Sequence, residues 1–204
     1  MTIASHELRT PLSALVLQLD GAQRALSSSD EGTARDRALE KVAKAIKSTA
    51  RLTALVDNLL EVSRLASGSV RLALAPLDAV RLLREAVRAM AAPAAKTGTV
   101  VAVQSPPSVP VEWDEARMSL VFESLLSNAL KYGRGQPIRV ELCCDDDVVR
   151  LTVRDEGIGI SREDAARIFN RFERAVPVRH YGGFGLGLYT TRRIVEAHGG
   201  RVRV

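Results

Sequence analysis

The run Ser5-His6-Glu7-Leu8-Arg9-Thr10-Pro11-Leu12 puts an imidazole, a carboxylate and a hydroxyl close together near the start of the chain. A neutral imidazole is a competent nucleophile toward phosphorus. Glu7, accepting a hydrogen bond from one ring nitrogen of His6, would fix the tautomer that leaves the other nitrogen to attack. On a helix, His6 lies one step off the seam made by Ser5, Leu8 and Leu12, so it turns about 100° away from the packed face. Thr10, four residues on, shares its face. Pro11 has no N–H, so the Glu7 carbonyl loses its helical partner and the helix can bend just below the histidine.

A second cluster lies in Glu123–Tyr132, where Asn128, Lys131 and Tyr132 fall at three- and four-residue spacing. An amide oxygen, a cation and an aromatic edge on one helix face can hold a hard cation, a phosphate and a flat base. A third, Asp155-Glu156-Gly157-Ile158-Gly159-Ile160, follows a strand-like run. Its acid can accept the exocyclic amine of adenine, and its glycines let backbone approach a ligand. A fourth, Gly182 to Leu188, opens the last helix, whose first N–H groups attract phosphate oxygens. It does not follow a strand in a βαβ unit, which argues against a Rossmann site. Between the last two, Arg167-Ile168-Phe169-Asn170-Arg171-Phe172-Glu173-Arg174 offers aromatics to pin a loop, with Arg171 or Arg174 directed at phosphate.

These groups need elements to position them. Ser5, Leu8, Leu12, Leu15, Leu19, Ala22 and Leu26 recur in steps of three and four, predicting a first helix with a packing seam. Turn and cap residues from Ser27 to Thr33 break the pattern. A longer helix is predicted from about Ala34 to Ala66. Its apolar stripe, from Leu39 to Leu65, is wider than two helices can cover, so a second copy completing a four-helix bundle is expected. Ser67-Gly68-Ser69 ends this unit. Strands are predicted at 70–74 and 99–103, and a helix capped by Asp78 to about Ala92. A rigid loop follows at 105–110, then a helix capped by Asp114 to about Tyr132 and a hairpin of 138–144 with 148–154. An irregular stretch at 156–184 leads to a helix from about Gly187 to His198, stopped by Gly199-Gly200 before a final strand. Helices interspersed with strands in this part predict a two-layer α/β sandwich, making the chain α+β.

The 204 residues carry 46% hydrophobic and 26% charged side chains, the composition of a globular protein. There are 29 Lys+Arg against 24 Asp+Glu, a net charge of +5, and only 4% of residues are aromatic. That is poor material for stacking bases, so no nucleic-acid partner is expected. Cys143 and Cys144 are adjacent, unsuited to a disulfide with each other, and point to a reducing compartment. No apolar run reaches a membrane span and no signal peptide opens the chain, so the chain as given is expected to be cytoplasmic.

The order of these stretches resembles the bacterial sensor histidine kinases of two-component signalling. SHELRTPL is similar to the H box, SLLSNALKYG to the N box, DEGIG to the first glycine box, RIFNRFER to the F box and GFGLGLYTTRRIVEAHGG to the second glycine box. The resemblance spans His6 to Arg201.

It implies an antiparallel helical dimerisation and histidine-phosphotransfer domain at 1–68, paired in a dimeric four-helix bundle. A Bergerat-type ATP-binding domain at 69–204 follows, with further strands of its sheet expected beyond the last residue. It implies ATP and Mg²⁺, His6 as phosphoacceptor, Glu7 as its acid or base partner and Thr10 orienting water in dephosphorylation of the partner. Asn128 would ligate Mg²⁺, Lys131 contact phosphate, Tyr132 line the adenine pocket and Asp155 read the adenine amine. Gly157, Gly159, Ile160, Phe172, Arg174, Gly183, Gly185, Leu186 and Gly187 would complete the ATP-binding site and its lid. The family usually has a second asparagine four residues before Asn128; here that position is Ser124. The implied partners are a response regulator receiver domain and a second copy of the chain. Any inner-membrane anchor would come through a sensor region of a parent chain. The alternative expectation is a scaffold that dimerises and binds a partner with weak or no turnover.

Overall fold

The computed structural model describes residues 3–27, 31–66, 71–146, 148–173, 175 and 185–204, with side chains for all of these except 3–7, 31–32, 51, 54–55 and 57–66. Two compact units divide it, residues 1–63 and 64–204.

The first unit is a helical hairpin of α1 (Ile3–Leu26) and α2 (Glu31–Ala66). Position 21 of α1 sits beside Lys41 of α2, whereas Gln18 lines a notch with Lys44 and Ser48. As the number falls on one helix it rises on the other, so the two run antiparallel. Their seam is made of small residues: Pro11 and Ala22 on α1 are buried, with Ala34, Ala38 and Ala45 on α2. A Cβ on Gly21 would lie 3.2 Å from Lys41 Cδ and 3.4 Å from its Nζ, so the lysine side chain crosses α1 at its glycine. The seam expected on α1 meets this contact in part, with Ala22 buried and Leu8 and Leu15 half-buried. Leu12, Leu19 and Leu26 are exposed, as are Leu39, Val42 and Ile46 on α2. Alanines and a glycine let the helix axes approach, and Leu12, Leu19, Leu26, Leu39, Val42 and Ile46 are left on one outer face.

The second unit layers helices on sheet. A two-stranded antiparallel sheet joins β1 (Ala75–Asp78) to β3 (Pro110–Trp113). A three-stranded sheet has the order β2-β4-β5, with β2 (Val101–Gln104) parallel to β4 (Ile138–Asp145) and β4 antiparallel to β5 (Val148–Asp155). Ile138, Val140 and Leu142 alternate inward along β4. They pack with Leu82 and Leu83 of α3 (Ala79–Thr97), Phe122 and Leu126 of α4 (Glu115–Tyr132), and Ile194 of α6 (Gly187–Ala197) in one core. Phe122 meets Trp113 edge-on at 6.4 Å between ring centroids.

The caps explain where these helices start. Asp78 accepts from the N–H of Val80 and also from that of Val109, tying the start of α3 to β3. Those bonds hold its carboxyl below the usual aspartate range, the Val109 bond first. Asp114 is buried, accepts from the N–H of Arg117 and of Ala73, and pairs with the Arg117 guanidinium at 3.2 Å. At the far end of α6 the Asp114 N–H donates to His198 Nε2 at 3.1 Å, while His198 Nδ1 faces the Ile194 carbonyl at 2.8 Å. This imidazole is therefore a neutral Nδ1–H tautomer bolting α6 to the start of α4.

Several boundaries differ from the sequence expectation. The strand expected at 70–74 lies instead at 75–78, where its register with Pro110–Trp113 is satisfied. The loop expected at 105–110 gives up Pro110 to β3. Helix α3 runs through Pro93 to Thr97. Ala89 and Pro93 are both exposed, so the carbonyl that proline leaves unpaired faces water, and Gly98 at φ 69 ends the helix. The irregular stretch contains a short helix α5 (Arg162–Arg167), capped by Ser161. Gly199 at φ 77 does end α6, but residues 201–204 form no strand.

Candidate functional site

The last turn of α4 and the loop after β5 fit together through one glycine. A Cβ at Gly157 would stand 2.0 Å from the Tyr132 carbonyl oxygen and 2.7 Å from Gly133 Cα. Only a residue with no side chain lets the loop seat there. Once seated, Ile158 donates its N–H to the same Tyr132 oxygen at 3.2 Å. Asp155 accepts from the Gly157 N–H at 3.0 Å, an Asx turn that fixes the acid at the strand end. Gly159 serves differently: its φ is 69 and nothing lies near its missing side chain, so its need is conformational.

Asn128, Lys131 and Tyr132 are all half-buried on the C-terminal half of α4. Lys131 Nζ donates to the Tyr132 hydroxyl at 2.9 Å and stands 4.6 Å from that ring's centroid. The cation is thereby held beside the ring. Asn128, Lys131, Tyr132, Asp155, Gly157 and Gly159 are thus brought to the end of α4, with Ile160 next along the same loop and exposed.

A second group gathers at the start of α6. A Cβ at Gly187 would lie 2.9 Å from Ser124 Oγ, one turn before Asn128, so the first turn of α6 approaches α4 closely. No side chain caps that turn. Its first N–H groups and positive dipole end suit an anion. Leu186 is buried. Phe172, at φ 67, donates its N–H to the Gly185 carbonyl at 3.0 Å, and Arg171 stacks on its ring at 4.9 Å. Thr190 and Thr191 are buried on α6 with hydroxyl oxygens that have no hydrogen-bond partner. Arg174 and Gly183 lie outside the described residues, as do the side chains of His6 and Glu7. Positions 6 and 7 fall within α1, and Thr10 is exposed four residues later.

The residues present suit a magnesium nucleotide. Asn128 and Ser124 supply neutral oxygen donors one turn apart, the set a hard cation takes when phosphates complete its shell. Among the described residues no group of three or more His, Cys, Asp and Glu side chains is placed to hold a metal without such help. A groove of about 550 Å³ elsewhere in this unit is lined by Pro106, Ser108, Val109, Pro110, Cys143 and Cys144 and contains none of these residues. Sequence reasoning did not single out Gly133 and Ser124 as packing partners of Gly157 and Gly187. The signal available was that each stands beside, or one turn from, a residue of the helix-face triad.

Comparison with known proteins agrees with this arrangement. Residues 1–68 match the His Kinase A (phospho-acceptor) domain, and residues 113–204 match the histidine kinase-, DNA gyrase B- and HSP90-like ATPase family. The signal transduction histidine-protein kinase BaeS of Escherichia coli is 35% identical over 205 residues, 99% of this chain and 42% of that protein. The sensor histidine kinase MtrB of Mycolicibacterium paratuberculosis is 31% identical over 97% of this chain and 35% of its own length. The chain therefore spans less than half of these curated relatives. Among solved structures, Acinetobacter baumannii AdeS shares the fold with a TM-score of 0.72 at 24% identity, covering 94% of this chain and 86% of that one. Full-length ShkA in complex with AMPPNP matches with a TM-score of 0.70 at 27% identity, covering 96% of this chain and 40% of that one.

Proposed function

On the premise that the chain belongs to the sensor histidine kinases of two-component systems, we propose that it transfers the γ-phosphoryl of ATP to His6 and then to an aspartate of a response regulator. The observation that carries this is the seating of Gly157 on Tyr132. It gathers an acid for the adenine amine, an aromatic edge, a cation and an amide oxygen around one helix end.

Asp155 accepts from the base, Tyr132 lines its pocket, and Lys131 together with the first turn of α6 offsets phosphate charge. Mg²⁺, held through Asn128, would neutralise charge developing on the phosphates. Gly159, Ile160, Phe172, Arg174, Gly183, Gly185, Leu186 and Gly187 complete the pocket and its closing segment. In the transfer, a ring nitrogen of His6 forms the N–P bond as the bond to the β-phosphate oxygen breaks. ADP leaves with that electron pair, and Glu7 holds the proton on the other ring nitrogen. Thr10, on the same helix face as position 6, orients water for dephosphorylation of the regulator.

Residues 1–68 form the dimerising, phosphate-accepting domain and 69–204 the ATP-binding one. The exposed apolar face of Leu12, Leu19, Leu26, Leu39, Val42 and Ile46 is the surface a second copy covers in a four-helix bundle. Incubation with γ-labelled ATP tests the proposal. Wild-type chain takes up label, and His6→Gln and Asp155→Asn do not; equal labelling of His6→Gln would overturn it.

A further inference from the structure

Ser124, Asn128 and Lys131 follow one another at four- and three-residue spacing, so they share one stripe of α4. Tyr132 and Asp155 stand at the C-terminal end of that stripe. A nucleotide whose base meets those two residues extends its phosphates back along the stripe. Ser124 lies about 12 Å of helix rise from Tyr132 and so faces the part of the ligand remote from the base.

At Ser124 the stripe meets α6. The Ser124 Oγ lies 2.9 Å from the Cβ that Gly187 lacks, and no other atom of the described residues beyond Gly187's own neighbourhood in the chain comes within 4 Å of it. Gly187 is exposed. The missing side chain therefore leaves an open place, floored by the serine hydroxyl, beside the first turn of α6. That hydroxyl has no hydrogen-bond partner among the described residues. Side chains on a helix lean toward its N-terminus, so Thr190 and Thr191, three and four residues on, lean over the same turn. They are 6% and 1% exposed, and neither hydroxyl oxygen has a partner. Buried hydroxyls left unpaired are costly, and here two of them adjoin a third that is open to a ligand.

A cation or an anion could use a serine oxygen, and the surroundings decide between them. No side chain caps the first turn of α6, so its N–H groups and positive dipole end lie beside the open place. A cation there would be repelled. A phosphate oxygen is attracted, and it can accept a hydrogen bond from the hydroxyl.

We propose that the Ser124 hydroxyl donates to an oxygen of a phosphate beyond the first, seated beside Gly187 on the first turn of α6, and that the metal is left to Asn128. The proposal rests on the nucleotide-binding reading above. It is particular to this chain, which has serine where the family usually has a second asparagine.

The test measures binding of AMP, ADP and the ATP analogue AMPPNP to the full chain by calorimetry, each with Mg²⁺ and with EDTA, for wild type, Ser124→Ala, Gly187→Ala and the double variant. Ser124→Ala should weaken ADP and AMPPNP at least about tenfold, the worth of a hydrogen bond to a charged group. The factor should be the same with and without metal. AMP should bind as it does to wild type, and thermal unfolding should be unchanged, which a merely structural role would not allow. Gly187→Ala should also weaken ADP. The double variant should lose no more than about twofold beyond the weaker single variant, because both changes remove one contact. Equal ADP affinity of Ser124→Ala and wild type overturns the proposal, and so does an equal loss for AMP. A loss seen only with Mg²⁺ also overturns it and makes Ser124 a metal ligand. Failure of wild type to bind any of the three nucleotides overturns the nucleotide-binding reading itself, and the proposal with it.

Discussion

Replacing Gly157 by alanine tests whether the loop after β5 is held by the close approach described above. The added carbon would stand 2.0 Å from the Tyr132 carbonyl oxygen, 2.6 Å from its carbonyl carbon and 2.7 Å from Gly133 Cα. All three are backbone atoms, so no side-chain rotation clears the clash. Restoring an ordinary contact of 3.4 Å requires the loop to retreat by about 1.4 Å from the helix end. A shift of that size breaks the Ile158 N–H bond to Tyr132 and carries Asp155 with it. Overpacking of this kind costs about 1–3 kcal/mol, and a displacement of roughly 1 Å at a positioning residue can cost about a hundredfold in function. The expected outcome for Gly157→Ala is a 10- to 100-fold loss of affinity for a fluorescent ATP analogue, with an unfolding midpoint lower by about 4 °C. Gly159→Ala separates steric from conformational need. Its Cβ meets nothing within 4 Å at φ 69, so it should cost only about 1–2 kcal/mol of left-handed strain. Unchanged affinity and melting in Gly157→Ala would refute the reasoning.

Thr191→Val replaces a buried hydroxyl that has no partner by an isosteric methyl, and should raise the unfolding free energy by about 1 kcal/mol in a denaturant titration. His198→Ala leaves the buried Asp114 N–H without its acceptor and should lower it by about 2 kcal/mol. Asp78 has a carboxyl pKa below its unfolded value, chiefly through the Val109 N–H bond. Its contribution is thus present above about pH 4 and lost as pH falls through the folded value. Between pH 6 and pH 3, wild type should lose more stability than Asp78→Asn, read from urea midpoints. Ile46→Glu, placed on the exposed apolar face, should shift the chain from dimer to monomer in sedimentation.

The helices were legible because their signals are local. Asp78 and Asp114 cap where their type and position say they should. The expected α1 seam coincides with the hairpin contact only in part: large apolar side chains dominate a periodicity, whereas the close contact uses Ala22 of that seam with Ala38 and Ala45 of α2. Strand β1 was displaced because its register depends on β3, which lies beyond the whole of α3 and β2 in the sequence. Helix α5 was hidden among glycines, although Ser161 and Asp164 form a recognisable capping pair. At the candidate site, residue types on α4 and in the glycine loops were readable from spacing. That Gly157 serves by contact and Gly159 by conformation was not, since a sequence shows both as the same residue.

Mapping the phosphorylated residue tests the central claim most directly. After incubation with ATP and Mg²⁺, digestion at neutral pH and mass spectrometry should find one phosphoryl group, labile to acid, on the peptide containing His6. A stable phosphoryl group on a serine or threonine, or none on His6 although ATP binds, would contradict the account.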